Sequence, residues 1–193
     1  MSISIVYAYP LEVKGLKELA SENDLQVELS WQRWPSLPSK TEGLIFNVGF
    51  AGCLNPGLAL GQVVLVNRII AEGQEPVVLE GFNQTRAEKY CKRQNLSLAT
   101  LLTVDNPLTS VTKRDELRQK TGADLVDMEG HRLYKLARER RVSFISLKII
   151  SDYADADTWQ DLRQNSGRFS DILGKTAFKF LKSYENLGYY SNL

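Results

Sequence analysis

A chain of 193 residues with 24 basic and 23 acidic side chains can bury one good core, and it carries no broad field that steers it to nucleic acid or an anionic membrane. Two cysteines, Cys53 and Cys91, fit a reducing cytosol rather than a disulfide framework, and the single histidine, His131, leaves no histidine-rich metal site to build. The longest uncharged stretch, Leu44 to Asn67, holds Asn47, Asn55, Pro56 and Gln62, which hydrocarbon penalises, so it reads as two buried strands joined by a turn and not as a membrane span.

Ile3–Ala8 alternates and is β-branched, the pattern of a first strand, and is too short for a signal peptide. Pro10 then opens a helix from about Leu11 to Ala20. Leu25–Trp31 predicts a second strand, followed by a loop from Pro35 to Ser39. Leu44–Val48 predicts a short buried strand that ends in a turn, Gly49-Phe50-Ala51-Gly52. Gln62–Val66 and Pro76–Leu79 read as strands and Asn83–Asn95 as an amphipathic helix. Leu98–Val104 is a strand, and Thr112 is placed to cap a helix through Thr121, with Asp115 at the third position of a capping box. Asp124–Met128 feeds a helix over Glu129–Arg140, whose basic end, Arg138-Glu139-Arg140-Arg141, complements the helix dipole. Val142–Ile150 is the most apolar strand; a helix over Asp171–Leu187 and a tail from Gly188 to Leu193 close the chain. Strands and helices alternate without a linker or repeat. That predicts a single α/β domain over 1–193, layered around a parallel or mixed sheet.

Several polar residues stand where apolar runs stop, and in open α/β sheets ligands bind beyond the carboxyl ends of the strands. Glycines in Gly49 to Gly52 can admit backbone N–H groups to a ligand, or simply make a turn; they match neither a dinucleotide fingerprint nor a P-loop. Glu129 is a strong acceptor for vicinal hydroxyls, or a favourable first-turn charge. Asp152, directly after an apolar strand, is placed for general-acid work or for an Asx turn into Tyr153-Ala154-Asp155. Asp152, Asp155 and Asp157 lack the glycine and glutamate of an EF-hand loop. Lys148, inside a buried strand, requires a carboxylate, and Glu12 is the candidate. Trp159 reads as a lid residue or as an anchor of the last helix.

In combination these segments resemble the nucleoside phosphorylase/nucleosidase superfamily, and within it the hydrolytic branch of methylthioadenosine/S-adenosylhomocysteine nucleosidases. The similarity runs from Ile3 to about Asp157: Leu44–Val66 is similar to the family's strand, glycine-rich turn and strand, "VDMEG" at Val126–Gly130 to its ribose motif, and "IISDYAD" at Ile149–Asp155 to its Ser-Asp motif. "LLTVDNPLTS" and "LRQKTGADLVDMEG" also resemble the hopanoid-pathway adenosyl nucleosidase or phosphorylase subgroup. The resemblance implies a three-layer α/β/α fold with a central mixed sheet, a small-molecule nucleoside as partner, no cofactor, and a cytoplasmic homodimer. It implies that Met128 and Glu129 hold the ribose, that Asp152, with Ser151 beside it, protonates the purine, and that Glu12 activates water. Lys148 stands for the usual Arg, and Gly49, Phe50, Ala51, Gly52 and Val126 line the sugar and base. Asn47 in place of a phosphorylase Arg, and a carboxylate at Glu12, favour water over phosphate. Asp rather than Asn at 152 favours adenine. Phe50 and Cys53 replace smaller residues, and the region after Val66 is short for the family.

Overall fold

The computed structural model describes residues 2–23, 25, 28–35 and 43–188. In chain order the elements are β1 (Ser2–Tyr7), a 3-10 turn (Pro10–Val13), α1 (Lys14–Glu22), β2 (Glu28–Arg33), β3 (Leu44–Cys53), β4 (Val63–Ala71) and β5 (Val77–Val78). There follow α2 (Phe82–Arg93), β6 (Ser97–Thr103), α3 (Val111–Thr121), β7 (Leu125–Asp127), α4 (Gly130–Arg140), β8 (Ser143–Asp152) and α5 (Thr158–Gly188). The loop expected over Pro35 to Ser39 lies, after Pro35, outside the described residues, as do Gln26 and Val27 of the expected second strand and residues 189–193 of the tail.

The sheet is mixed. From one edge it runs β2-β1-β3-β7-β6-β4-β5, and β8 pairs in parallel with β3 and antiparallel with β4. Strands β3, β8, β4, β6 and β7 therefore close into a ring, with β1 and β2 as a parallel wing on β3. Period-two alternation fills both faces. Ile3, Ile5, Leu44, Phe46, Ile145 and Leu147 pack with α1, α2 and α5, whereas Val6, Ile45, Phe144 and Ile150 point the other way, into the cluster that α4 closes through Leu133 and Ala137. Phe46 is fully buried, with its ring 5.1 Å from that of Phe180 on α5, so truncation to Ala would cost about 3–5 kcal/mol. Helix α1 crosses α5 backbone to backbone: a methyl on Gly15 would meet Ser170 O at 2.8 Å, and one on Gly174 would meet Leu16 N at 2.5 Å.

Four expectations change. Gly49–Gly52 is not a turn but the continuation of β3, held by β8 on one side and, at Gly52 and Cys53, by β7 on the other. The two strands of Leu44 to Asn67 are buried as expected, but the connection between them, residues 54–62, is longer than a single turn and β8 lies between the strands. Helix α3 is capped by Ser110, whose hydroxyl accepts from Lys113 N, so Thr112 lies inside the helix. Helix α5 begins at Thr158, well before Asp171; after the buried Thr158, residues 159–168 are exposed or half-buried, and the continuous buried stripe starts only at Phe169.

Candidate active site

Glu12 sits at the third position of the 3-10 turn that Pro10 opens, immediately beyond β1. Its Oε2 accepts from Ala8 N at 2.7 Å and Tyr9 N at 2.8 Å, and its Oε1 accepts from Phe50 N at 2.9 Å. Burial raises its pKa, while Lys148 and the three backbone donors pull it back part of the way. Oε1, with one donor, keeps a lone pair for a further partner.

Lys148 points inward from β8 and is completely buried. Its Nζ lies 2.5 Å from Glu129 Oε1 and 2.9 Å from Asp127 Oδ2, so its ion-pair partners are these two and not Glu12. Glu12 acts on it through space only. Asp127 also accepts from Thr103 Oγ1 at 2.7 Å and caps the first turn of α4 through Gly130 N. A side chain on Gly130 would strike Asp127 Oδ2 at 2.8 Å, which explains glycine there. Three carboxylates thus share one ammonium in a desolvated space. All three hold Lys148 charged, with a pKa above its usual value, against its burial. The excess of negative charge is felt by Glu129, which burial and then Asp127 push up to about 7.

Asp152 ends β8. Its Oδ1 accepts from Ala154 N at 2.9 Å and from Thr158 Oγ1 at 3.0 Å, and Ser151 Oγ lies 2.7 Å from its Oδ2. Ser151 Oγ is also 3.2 Å from Ala51 O, so its single proton has two acceptors in reach. When Asp152 carries a proton it can donate to Ser151 while Ser151 donates to Ala51; when Asp152 is ionised Ser151 turns to it. Ala154 adopts the left-handed conformation, φ 51°, as the chain bends from β8 towards α5, a strained step beside the Asp152 carboxylate.

The glycines of β3 keep the two acids in place. A methyl on Gly49 would lie 3.0 Å from Glu12 Oε1 and 3.3 Å from Lys148 Nζ, and one on Gly52 would lie 3.0 Å from Asp152 Oδ1. They make room for carboxylates rather than for a ligand's approach to backbone N–H groups. A cavity of about 330 Å³ opens over them. Glu12, Phe50, Ala51, Gly52, Val126, Met128, Glu129, Ser151 and Asp152 line it; Gly49 and Lys148 do not. Asn47 lies away from it, fully buried in the sheet and bonded to Ser146 and Val6. Sequence reasoning missed Asp127 and the walls formed by Tyr9, Trp34, Leu108, Arg132 and Leu162. Trp159 is in the first turn of α5, over the cavity mouth, and is 54% exposed.

Residues 43–184 match the model of the phosphorylase superfamily. A 5′-methylthioadenosine/S-adenosylhomocysteine nucleosidase of Thermotoga maritima is 27% identical over 150 residues, 69% of this chain and 68% of that protein. Among solved structures, the Helicobacter pylori 5′-methylthioadenosine/S-adenosylhomocysteine nucleosidase with butyl-thio-DADMe-Immucillin-A superposes with a TM-score of 0.81 at 15% identity, covering 95% of this chain and 98% of that one. The futalosine hydrolase of the same organism gives 0.81 at 14% identity, with the same coverage. A Chlamydia trachomatis nucleosidase bound to MTA gives 0.72 at 19%, again over 95% and 98%. The fold is that of these nucleosidases, and the chain belongs to the phosphorylase superfamily.

Proposed function

We propose that this enzyme is a purine nucleosidase that hydrolyses the N-glycosidic bond of an adenine nucleoside bearing a 5′-substituent. One observation carries the reading: the Glu12–Lys148–Glu129 cluster and Asp152 flank the same strand three residues apart, opposite Gly49 and Gly52. At the rise of a β-strand that is about 10 Å, room for a sugar at one end and a purine at the other. Lys148 occupies Glu129 Oε1, and Oε2, without a partner among the described residues, is available to the 2′- and 3′-hydroxyls.

In the reaction Asp152 gives its proton to the purine ring, and the base departs with the electron pair of the C1′–N bond. Water attacks C1′ and passes a proton to Glu12, which lines the cavity and keeps a spare lone pair on Oε1. Cationic character on the sugar is matched by a cluster in which carboxylates outnumber the ammonium. Ser151 and Thr158 serve both charge states of Asp152 by turning their hydroxyls. Water is favoured over phosphate because Arg132 is the one cation lining the cavity, among the described residues, and it is paired with Asp105. The setting we propose is a cytosolic homodimer; Cys53 and Cys91, both buried and free, suit a reducing compartment. Among the described residues no helix is long and apolar enough to cross a membrane.

Incubation with methylthioadenosine, S-adenosylhomocysteine, 5′-deoxyadenosine and inosine, with and without phosphate, tests the reading. Adenine released without phosphate is the expected result. Release only with phosphate favours a phosphorylase, and nucleoside binding without release favours a catalytically impaired homologue.

A further inference from the structure

Three hydroxyls reach the buried carboxylates of the site, and one of them cannot turn. Ser151 Oγ has Asp152 and Ala51 O in reach, and Thr158 Oγ1 has Asp152 Oδ1 and, at 3.4 Å, Leu108 O. Thr103 Oγ1 has no such choice. It accepts the amide proton of His131 at 2.8 Å, and its one acceptor among the described residues is Asp127 Oδ1, at 2.7 Å. The sheet fixes both ends of that bond: Thr103 and Asp127 are partners in the parallel β6–β7 ladder, and Val104 N donates to Asp127 O at 2.9 Å. Thr103 is buried, and its branched Cβ restricts the side chain further. Its hydroxyl is a permanent donor to Asp127.

A fixed donor discriminates between carboxylates that share one cation. Glu12 is satisfied by the amides of Ala8, Tyr9 and Phe50. Asp127 has Thr103, Gly130 N and Lys148. Glu129 has Lys148 and no other donor among the described residues. Donors to a carboxylate favour its charged form, so of the three acids Glu129 is the one left to take up a proton. The other charged groups nearby leave it there. Burial first, then Asp127, raises Glu129 to about 7; Lys148 opposes them and Glu12 adds to them. Arg132, on α4, is turned to Met128 O and Asp105. Burial first, then Lys135, lowers the pKa of His131 against the pull of Asp127, so His131 is uncharged where Glu129 titrates.

From this geometry we infer that Thr103 is a positioning residue of the sugar site: its locked hydroxyl holds the negative charge on Asp127 and so directs the proton shared by the acid cluster to Glu129, the carboxylate placed to meet the ribose. This rests on the nucleosidase reading and adds to it a control on when Glu129 can accept from the sugar hydroxyls. Thr103 itself does not line the cavity and acts through Asp127, which does.

Carboxyl-carbon NMR of the whole protein, labelled at Glu Cδ and Asp Cγ, reads the proton directly, with Glu129→Gln and Asp127→Asn assigning the two signals. In the wild type the Glu129 carbon is expected to titrate at about 7. Thr103→Val is nearly isosteric and cannot donate. Its Glu129 midpoint should fall by about half a unit to one unit, the worth of one hydrogen bond, with part of the protonation appearing at the Asp127 carbon. The acid limb of kcat/KM for adenine release should fall with it, and Thr103→Ser, which keeps the hydroxyl, should restore both. Thr103→Ala takes the place of Thr103→Val should that chain not fold. A wild type in which Asp127 takes the proton before Glu129 overturns the inference, and so does a folded Thr103→Val or Thr103→Ala whose Glu129 midpoint stays in place. Titrations as expected without any release of adenine overturn the nucleosidase reading and leave the placement of the proton standing.

Discussion

The two ends of the candidate site solve the burial of carboxylates in opposite ways. At the Asp152 end one carboxylate has donors on both oxygens and no ion-pair partner among the described residues. At the Glu12 end three carboxylates surround the one ammonium of Lys148, and Glu129 is pushed up to about 7 by burial first and by the charge of Asp127 next. Neutral hydroxyls that can reverse direction suit a group that must give and regain a proton. A surplus of fixed negative charge suits a group that must face a developing cation. Charge and hydrogen bonds are interchangeable ways to satisfy a buried acid, but they leave different chemistry behind.

The strongest way to break the contrast is to remove one acid from each end. Asp152→Asn and Glu12→Gln should each lower kcat by about 10²–10⁴-fold while the fold, read by circular dichroism, is kept. Asp155→Asn, whose carboxylate only caps Asp157 N and sits 3.9 Å from Arg114, should lie close to wild type. Equal losses from all three would mean that the loop, not the chemistry, was disturbed.

A smaller effect is expected from Gly49→Ala. The new methyl meets Glu12 and Lys148 at 3.0 and 3.3 Å, so one of them must shift. The expected cost is about 1–3 kcal/mol in stability and about 10–100-fold in kcat, measured by thermal denaturation and steady-state rates. Stability lost without a loss of rate would show that the cluster can give without moving the base.

The smallest effect sharpens the charge argument. Because the native pKa of Glu129 is raised, the folded protein holds a proton, from the usual value of 4.5 up to about 7, that the unfolded chain has released; stability falls as pH rises through that window. Asp127→Asn removes the second cause of the rise, so both the stability slope and the acid limb of kcat/KM should move to lower pH by on the order of one unit. A limb that stays in place would belong to a different group.

Much of this was legible in the sequence, and for a physical reason. Lys148 and Asp152 interrupt or end a strongly apolar strand, and an interruption of that kind is costly unless it serves a site, whereas Glu12 carries no such mark and stood out only through the family resemblance. Asp127 escaped although it lies two residues before Glu129, the spacing that sets side chains on one face of an extended segment. Trp34 and Arg132 escaped because they meet only when β2 and α4 come together, and no local pattern records that. The start of α5 was invisible since Trp159 to Arg168 has no buried stripe. The glycines of β3 were misread because glycine ordinarily weakens strands; here the absent side chains are space for the acids.

The ring of β3, β8, β4, β6 and β7 has one further effect. Lys148 and Asp152 lie on β8, and the glycines that space the acids lie on β3, two strands of a loop whose members are each paired on both sides. Such a ring has no seam along which to fray, so its amide protons should exchange by global opening alone. Loss of activity on heating then follows the loss of the fold itself, in one step, rather than the earlier loosening of a peripheral element.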